Sequence, residues 1–206
     1  MKRSYIIAAL IGAVLLYSFT RKKKMSNFKK KLIDLANAEY TRWNTPTKIK
    51  EGDPRTMAQL ENYYTATTNL KGQKAIDTAW SASFNSWLMK QAGAGKNFNY
   101  NASHSAYIQT AKQNRANKIK TIQAFKPQEI PVQVGDFICY PRQDGVTFET
   151  PGRYYSHCDI VTEIKDNKAI AIGGNVSNSV SKSTYTLDPN GKVLDKKVHA
   201  ILKNYL

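Results

Sequence analysis

The sequence predicts an α+β fold, helices first and an antiparallel sheet after them, preceded by one transmembrane helix. Three observations carry this expectation. Apolar residues recur at helical spacing in segments up to about residue 117. Short strand-like runs, separated by turn signals, fill the chain after Pro127. A charge-free apolar run, residues 5–19, stands between Lys2-Arg3 and the cations Arg21, Lys22, Lys23 and Lys24. The 206 residues, 41% apolar and 22% charged, suit a folded chain and exclude a disordered one. The expected organisation is an anchor with basic flanks over 1–25 and one folded domain over 26–206.

The apolar run has no polar face, and at about 1.5 Å per residue it comes close to the ~30 Å thickness of a bilayer core. Flanking cations snorkel to the interface, and Tyr5 and Tyr17 suit its edges. A signal peptide is the competing reading, but no small-x-small cleavage site follows Phe19. The expected location is therefore a single-pass membrane protein.

Beyond the anchor, Ser26 can cap a helix carrying Phe28, Leu32, Leu35, Ala36, Tyr40 and Trp43. Pro54 suits the first turn of a second, with Met57, Leu60 and Tyr64. Asp77 or Thr78 can cap a third, AWSASFNSWLMKQAG, which Gly93 closes. Ser103 can cap a fourth that runs to about Asn117. DFICY, HCDIVTEI, KAIAIGG, a stretch over 180–187, and VHAILK read as strands, with turns at Asp166-Asn167 and at 188–191.

Charge alone invites a nucleic-acid reading, since 31 cations against 15 acids give +16. Nine of those cations precede the first acid, Asp34, so the remainder carries 22 against 15, or +7. The basic block beside the apolar run is better explained by contact of Arg21 to Lys24 with anionic lipid, and no specific nucleic acid is expected.

Three histidines and two cysteines allow few catalytic constellations. No P-loop, dinucleotide fingerprint, His-Glu-x-x-His or Cys-x-x-Cys occurs, so neither a cofactor nor a metal is expected. Four local features stand out in order: Ala79-Trp-Ser-Ala-Ser-Phe84, Gly135-Asp-Phe-Ile-Cys-Tyr140, Ser156-His-Cys-Asp-Ile-Val161 and Ile172-Gly-Gly-Asn175. Together, from about Asn27 to the C-terminus, they resemble the papain-like CHAP and NlpC-type cell-wall hydrolases. They are closer still to an uncharacterised related domain family with Trp-Ser-Ala in place of Trp-Cys-Ala.

The resemblance implies a nucleophile at Ser81, a base at His157, and Asn175 as the third polar group, with Asp159 as its rival. Physical chemistry offers support. A serine in the first turn of a helix lies beside free N–H groups that can hold an oxyanion. On a strand, His157 and Asp159 share a face while Cys158 points away. The expected contacts to substrate are Trp80, His104 and Arg142. His104 lies one helical face from Tyr107 and reads as a cleft-lining or a surface histidine. Arg142 offers a bidentate fork for a carboxylate or is a solvated loop residue. Asp136 reads as fixing a strand end, and His199 as exposed or packed by the last strand. Cys139 and Cys158 pair in an oxidising compartment or are two buried small hydrophobes.

The resulting expectation is a membrane-anchored peptidoglycan hydrolase, of a bacterium or of a phage virion with an internal membrane, cleaving a peptide or amide bond through a Ser-His-(Asn/Asp) site. The alternative is a non-catalytic binding or structural membrane protein that keeps the fold without the thiol.

Overall fold

A computed structural model describes residues 25–206. Helix α1 (Asn27–Asn44) starts where the sequence predicts: Ser26 Oγ accepts the Lys29 N–H at 3.2 Å and donates to the Leu206 carbonyl at 2.7 Å, tying the start of this domain to its end. It is followed by α2 (Pro54–Tyr64), capped by Asp53, and by a short unpredicted helix α3 (Gln73–Asp77). Helix α4 (Ser81–Ala92) begins two residues later than expected. Neither Asp77 nor Thr78 caps it; its N-cap is Trp80, without a side-chain bond. Gly93, at φ 99°, closes it in the left-handed conformation that glycine adopts without strain. Helix α5 (His104–Ala116) completes the layer, with Ser103 at the cap position but its hydroxyl on Ser105 instead.

Six strands follow: β1 (Ile122–Phe125), β2 (Phe137–Pro141), β3 (Ser156–Lys165), β4 (Lys168–Gly173), β5 (Ser181–Thr186) and β6 (Ala200–Asn204). They form one antiparallel sheet in the order β1-β6-β2-β3-β4-β5. The expected turn at Asp166-Asn167 joins β3 to β4, both residues having positive φ. Strand β1, which the sequence reading lacks, pairs with β6, Ile122 opposite Asn204. As expected, Asp136 fixes the start of β2: it accepts from Lys203 Nζ at 2.9 Å, Asn204 N at 3.0 Å and Gln133 N at 2.8 Å.

The sheet has two buried faces, set by strand alternation. Phe137, Cys139, Cys158, Ile160 and Leu202 pack with the helices. Ile138, Val161, Ala171, Tyr185 and Ile201 pack on the other side, under loop residues such as Val132, Val193 and Val198.

The expected membrane span corrects the fold class. Among the described residues no helix is long and apolar enough to cross a membrane. The longest, α1, buries Leu32, Ile33, Ala36 and Trp43 along one stripe and exposes lysines on the other, as a surface helix does. The run over 5–19 and the lipid contact assigned to Arg21 to Lys24 lie outside the described residues. Over the described residues the architecture is α+β without a transmembrane helix, and a single-pass membrane location has no support in it.

Candidate active site

Trp80 sets the position of Ser81. Its ring is fully buried, stacked on Trp43 and Tyr63 at centroid distances of 5.1 and 5.6 Å, and its Nε1–H donates to Glu51 Oε2 at 2.5 Å. No face of it is open to a ligand, so the substrate contact expected of Trp80 is corrected to a packing role that fixes the start of α4.

Ser81 is half-buried in the first turn of α4, where N–H groups have no intrahelical carbonyl partner. Its hydroxyl meets His104 Nε2 at 2.7 Å. The partner of Ser81 is therefore His104, not the expected His157. His104 opens α5, and its Nδ1 lies in a short hydrogen bond with the hydroxyl of Tyr107, one turn on. Asn85, one turn beyond Ser81 on α4, donates to the Tyr107 oxygen at 3.2 Å and to the Cys158 carbonyl at 2.7 Å. Two neighbouring helices and β3 are thus joined around one Ser-His pair.

His157 serves a second chain of bonds. Its Nε2 lies 2.7 Å from Asp159 Oδ1, and the other carboxylate oxygen accepts from the Tyr185 hydroxyl at 2.7 Å. Arg142 Nη2 donates to His157 Nδ1 at 3.3 Å. A guanidinium can only donate, so Nδ1 accepts and the ring proton sits on Nε2, facing Asp159. The physical reason for the changed pairing is alternation. His157 and Asp159 share the sheet face of Tyr140 and Tyr185, whereas α4 packs on the face of Cys158. The two chains touch where the rings of His104 and His157 lie 5.1 Å apart.

Of the two rivals for orienting His157, Asp159 holds the imidazole. Asn175 stands at positive φ in the turn after β4 and makes no hydrogen bond to His157. Arg142, expected to anchor a carboxylate, is turned onto His157 and the Tyr140 ring. Cys139 and Cys158 face each other across β2 and β3 and form a disulfide. His199 is buried, its Nδ1–H donating to the Cys139 carbonyl at 3.0 Å and its Nε2 3.2 Å from the Tyr154 hydroxyl.

Electrostatics follow from burial. Desolvation, reinforced by His157 and Arg142, holds the His104 imidazole well below the ordinary histidine value, so it is neutral near pH 7. Burial pushes Asp159 upward, but His157 and the hydroxyls of Tyr185 and Ser183 outweigh it and keep the carboxyl below its usual range. Burial drives Tyr107 and Tyr185 up, with the charge of Asp159 adding to both. Among the described residues there is no cluster of three or more His, Cys, Asp or Glu that could hold a metal ion.

Sequence reasoning missed Asn85 and Tyr185 as members of this network, and placed Tyr107 on the helical face of His104 without giving it a role. Asn85 was legible in principle, as the fourth residue after Ser81. Tyr185 comes from a strand remote in sequence and carries no local signal.

A helix layer on one antiparallel sheet, with a Ser-His pair at a helix start and a His-Asp pair beside it, defines the class of α+β protein to which this chain belongs. The chain belongs to the family described as an uncharacterized protein conserved in bacteria (DUF2272), whose model matches residues 50–205. Comparison with curated proteins and with solved structures gives no match.

Proposed function

We propose that this chain hydrolyses a peptide or amide bond of peptidoglycan, as a serine-bearing relative of the CHAP and NlpC-type hydrolases, with His104 as the base. The observation that carries the proposal is the 2.7 Å contact of Ser81 Oγ with the neutral His104 Nε2 at the start of α4. Ser81 attacks the carbonyl carbon while His104 takes its proton, and first-turn N–H groups of α4 face the developing oxyanion. His104 then returns the proton to the leaving amine as the C–N bond breaks. Water, deprotonated by the same imidazole, releases the acyl group and restores Ser81. The ordered motifs around Ser81 and Ser156-His157 support the cell wall as substrate, and the +7 charge beyond residue 31 favours anionic wall polymers. Digestion of purified peptidoglycan, read by mass spectrometry, should yield fragments with a new amine and a new carboxyl. The products should disappear with Ser81→Ala and with His104→Ala.

One observation favours a second reading, a binding protein without turnover. The Tyr107 oxygen already accepts from Asn85, and its own proton has His104 Nδ1 as its described acceptor. That arrangement puts the imidazole proton on Nε2, donating to Ser81 rather than accepting from it. Nitrogen-15 shifts of the His104 ring separate the two: a protonated Nδ1 supports catalysis, a protonated Nε2 supports binding.

A further inference from the structure

We infer that the polar pocket beside the Ser81-His104 pair is a carboxylate-binding subsite anchored by Arg153; this rests on the peptidase reading and names the end of the substrate it takes. The pocket, of about 320 Å³, is bounded by Thr67, Thr68, Tyr100, Asn101, Ser103 and Arg153. Its lining reaches the sequence neighbours of the reactive pair. Ser103 directly precedes His104, and Thr67 Oγ1 lies 2.8 Å from the hydroxyl of Ser83, two residues past Ser81.

The chemistry of the lining selects the ligand. It offers hydroxyls, a carboxamide and one cation, with no acid among them. Asn101 uses its Oδ1 to accept the Ser103 N–H, and its amide protons have no acceptor among the described residues. Arg42, Arg55, Arg115 and Arg142 each engage a carboxylate or an imidazole. Arg153 is exposed and, among the described residues, makes neither a hydrogen bond nor an ion pair. Its backbone is nonetheless held, because the next residue, Tyr154, donates its N–H to Ser105 Oγ at 3.3 Å. A fixed segment presenting an unengaged planar fork to a pocket of donors suits the two oxygens of a carboxylate. A peptide with its scissile carbonyl at Ser81 would place its own carboxylate there. The anchoring role that the sequence suggested for Arg142 thus falls to Arg153.

The test is calorimetric titration of the full-length protein with a peptidoglycan stem tetrapeptide bearing a free C-terminal carboxylate, and with its C-terminal amide. The acid should bind wild type at least tenfold more tightly than the amide. Arg153→Gln should bring the two level with an unchanged melting midpoint, and Arg153→Lys should restore part of the difference. Equal binding of acid and amide to wild type, binding of neither, or a preference that survives Arg153→Gln overturns the subsite. Cleavage is read separately. Acid preference without cleavage removes the hydrolase reading and leaves the subsite standing, whereas cleavage without preference does the reverse.

Discussion

Gly173 on β4 lies against Asp159 on β3 so closely that a methyl group at Gly173 would sit 1.9 Å from Asp159 Oδ1 and 2.8 Å from His157 Nε2. The absence of a side chain there is what lets the His157-Asp159 pair lie flat on the sheet. Gly174 has the same relation to the opposite face, where a methyl would meet Phe84 of α4 at 2.5 Å. Gly173→Ala should therefore displace the Asp159 carboxylate and cost roughly 1–3 kcal/mol or more, as overpacking does. Urea unfolding measures the loss, and the Tyr185 to Asp159 hydrogen bond should go with it. A variant as stable as wild type would mean that β3 and β4 do not approach in this way.

The Cys139-Cys158 bond closes a loop across 19 residues and both cysteines are fully buried. The unfolded chain should expose no titratable thiol until a reductant is added, and the folded chain should resist that reductant. Replacing both cysteines with alanine should cost about 3 kcal/mol on the chain-entropy scale for a loop of this length. Thiol titration in denaturant, with and without reductant, checks the pairing.

Acid should destabilise the fold in a window set by buried histidines. Burial lowers His199 to about 4, with Lys112 adding to the shift and the Cys139 carbonyl opposing it, and burial holds His104 well below its ordinary value. A folded-state value below the unfolded one means the unfolded chain binds the proton first. The contribution of each imidazole is therefore intact above the ordinary histidine value near 6.5 and is lost as pH falls below it, for His199 through a window that ends at about 4. Within that window His199 should lower stability by ~1.4 kcal/mol per pH unit, and His104 should act in the same direction. Unfolding free energies at pH 7, 6, 5 and 4.5 should fall, with the steepest change removed in His104→Gln and His199→Gln.

Much of this fold is written locally. Ser26, Asp53-Pro54 and Gly93 mark helix ends because capping chemistry acts over three or four residues, and Asp166-Asn167 marks a turn because both adopt positive φ. Strand β1 escaped notice because it is four residues long, contains Gln123, and is a strand only by virtue of pairing with the distant β6. The site was legible as a set of residues and not as a set of pairs. Ser81, His104, His157 and Asp159 all stand out, and alternation correctly separates His157 from Cys158. The same alternation turns His157 away from α4, but which face the helices cover is a property of the whole sheet, so the partner of Ser81 could not be read from the motif order. Trp80 shows the converse error, since a conspicuous aromatic beside a reactive serine proved to be a fully buried part of a core cluster.

Whether Ser81 and His104 act as one reactive pair is read out by covalent labelling with a fluorophosphonate, mapped by peptide mass spectrometry. The folded protein should give a single adduct on Ser81, absent in Ser81→Ala, strongly slowed in His104→Ala, and still formed in His157→Gln. No adduct on folded wild type, or an adduct on Ser81 that forms equally fast without His104, would contradict that pairing.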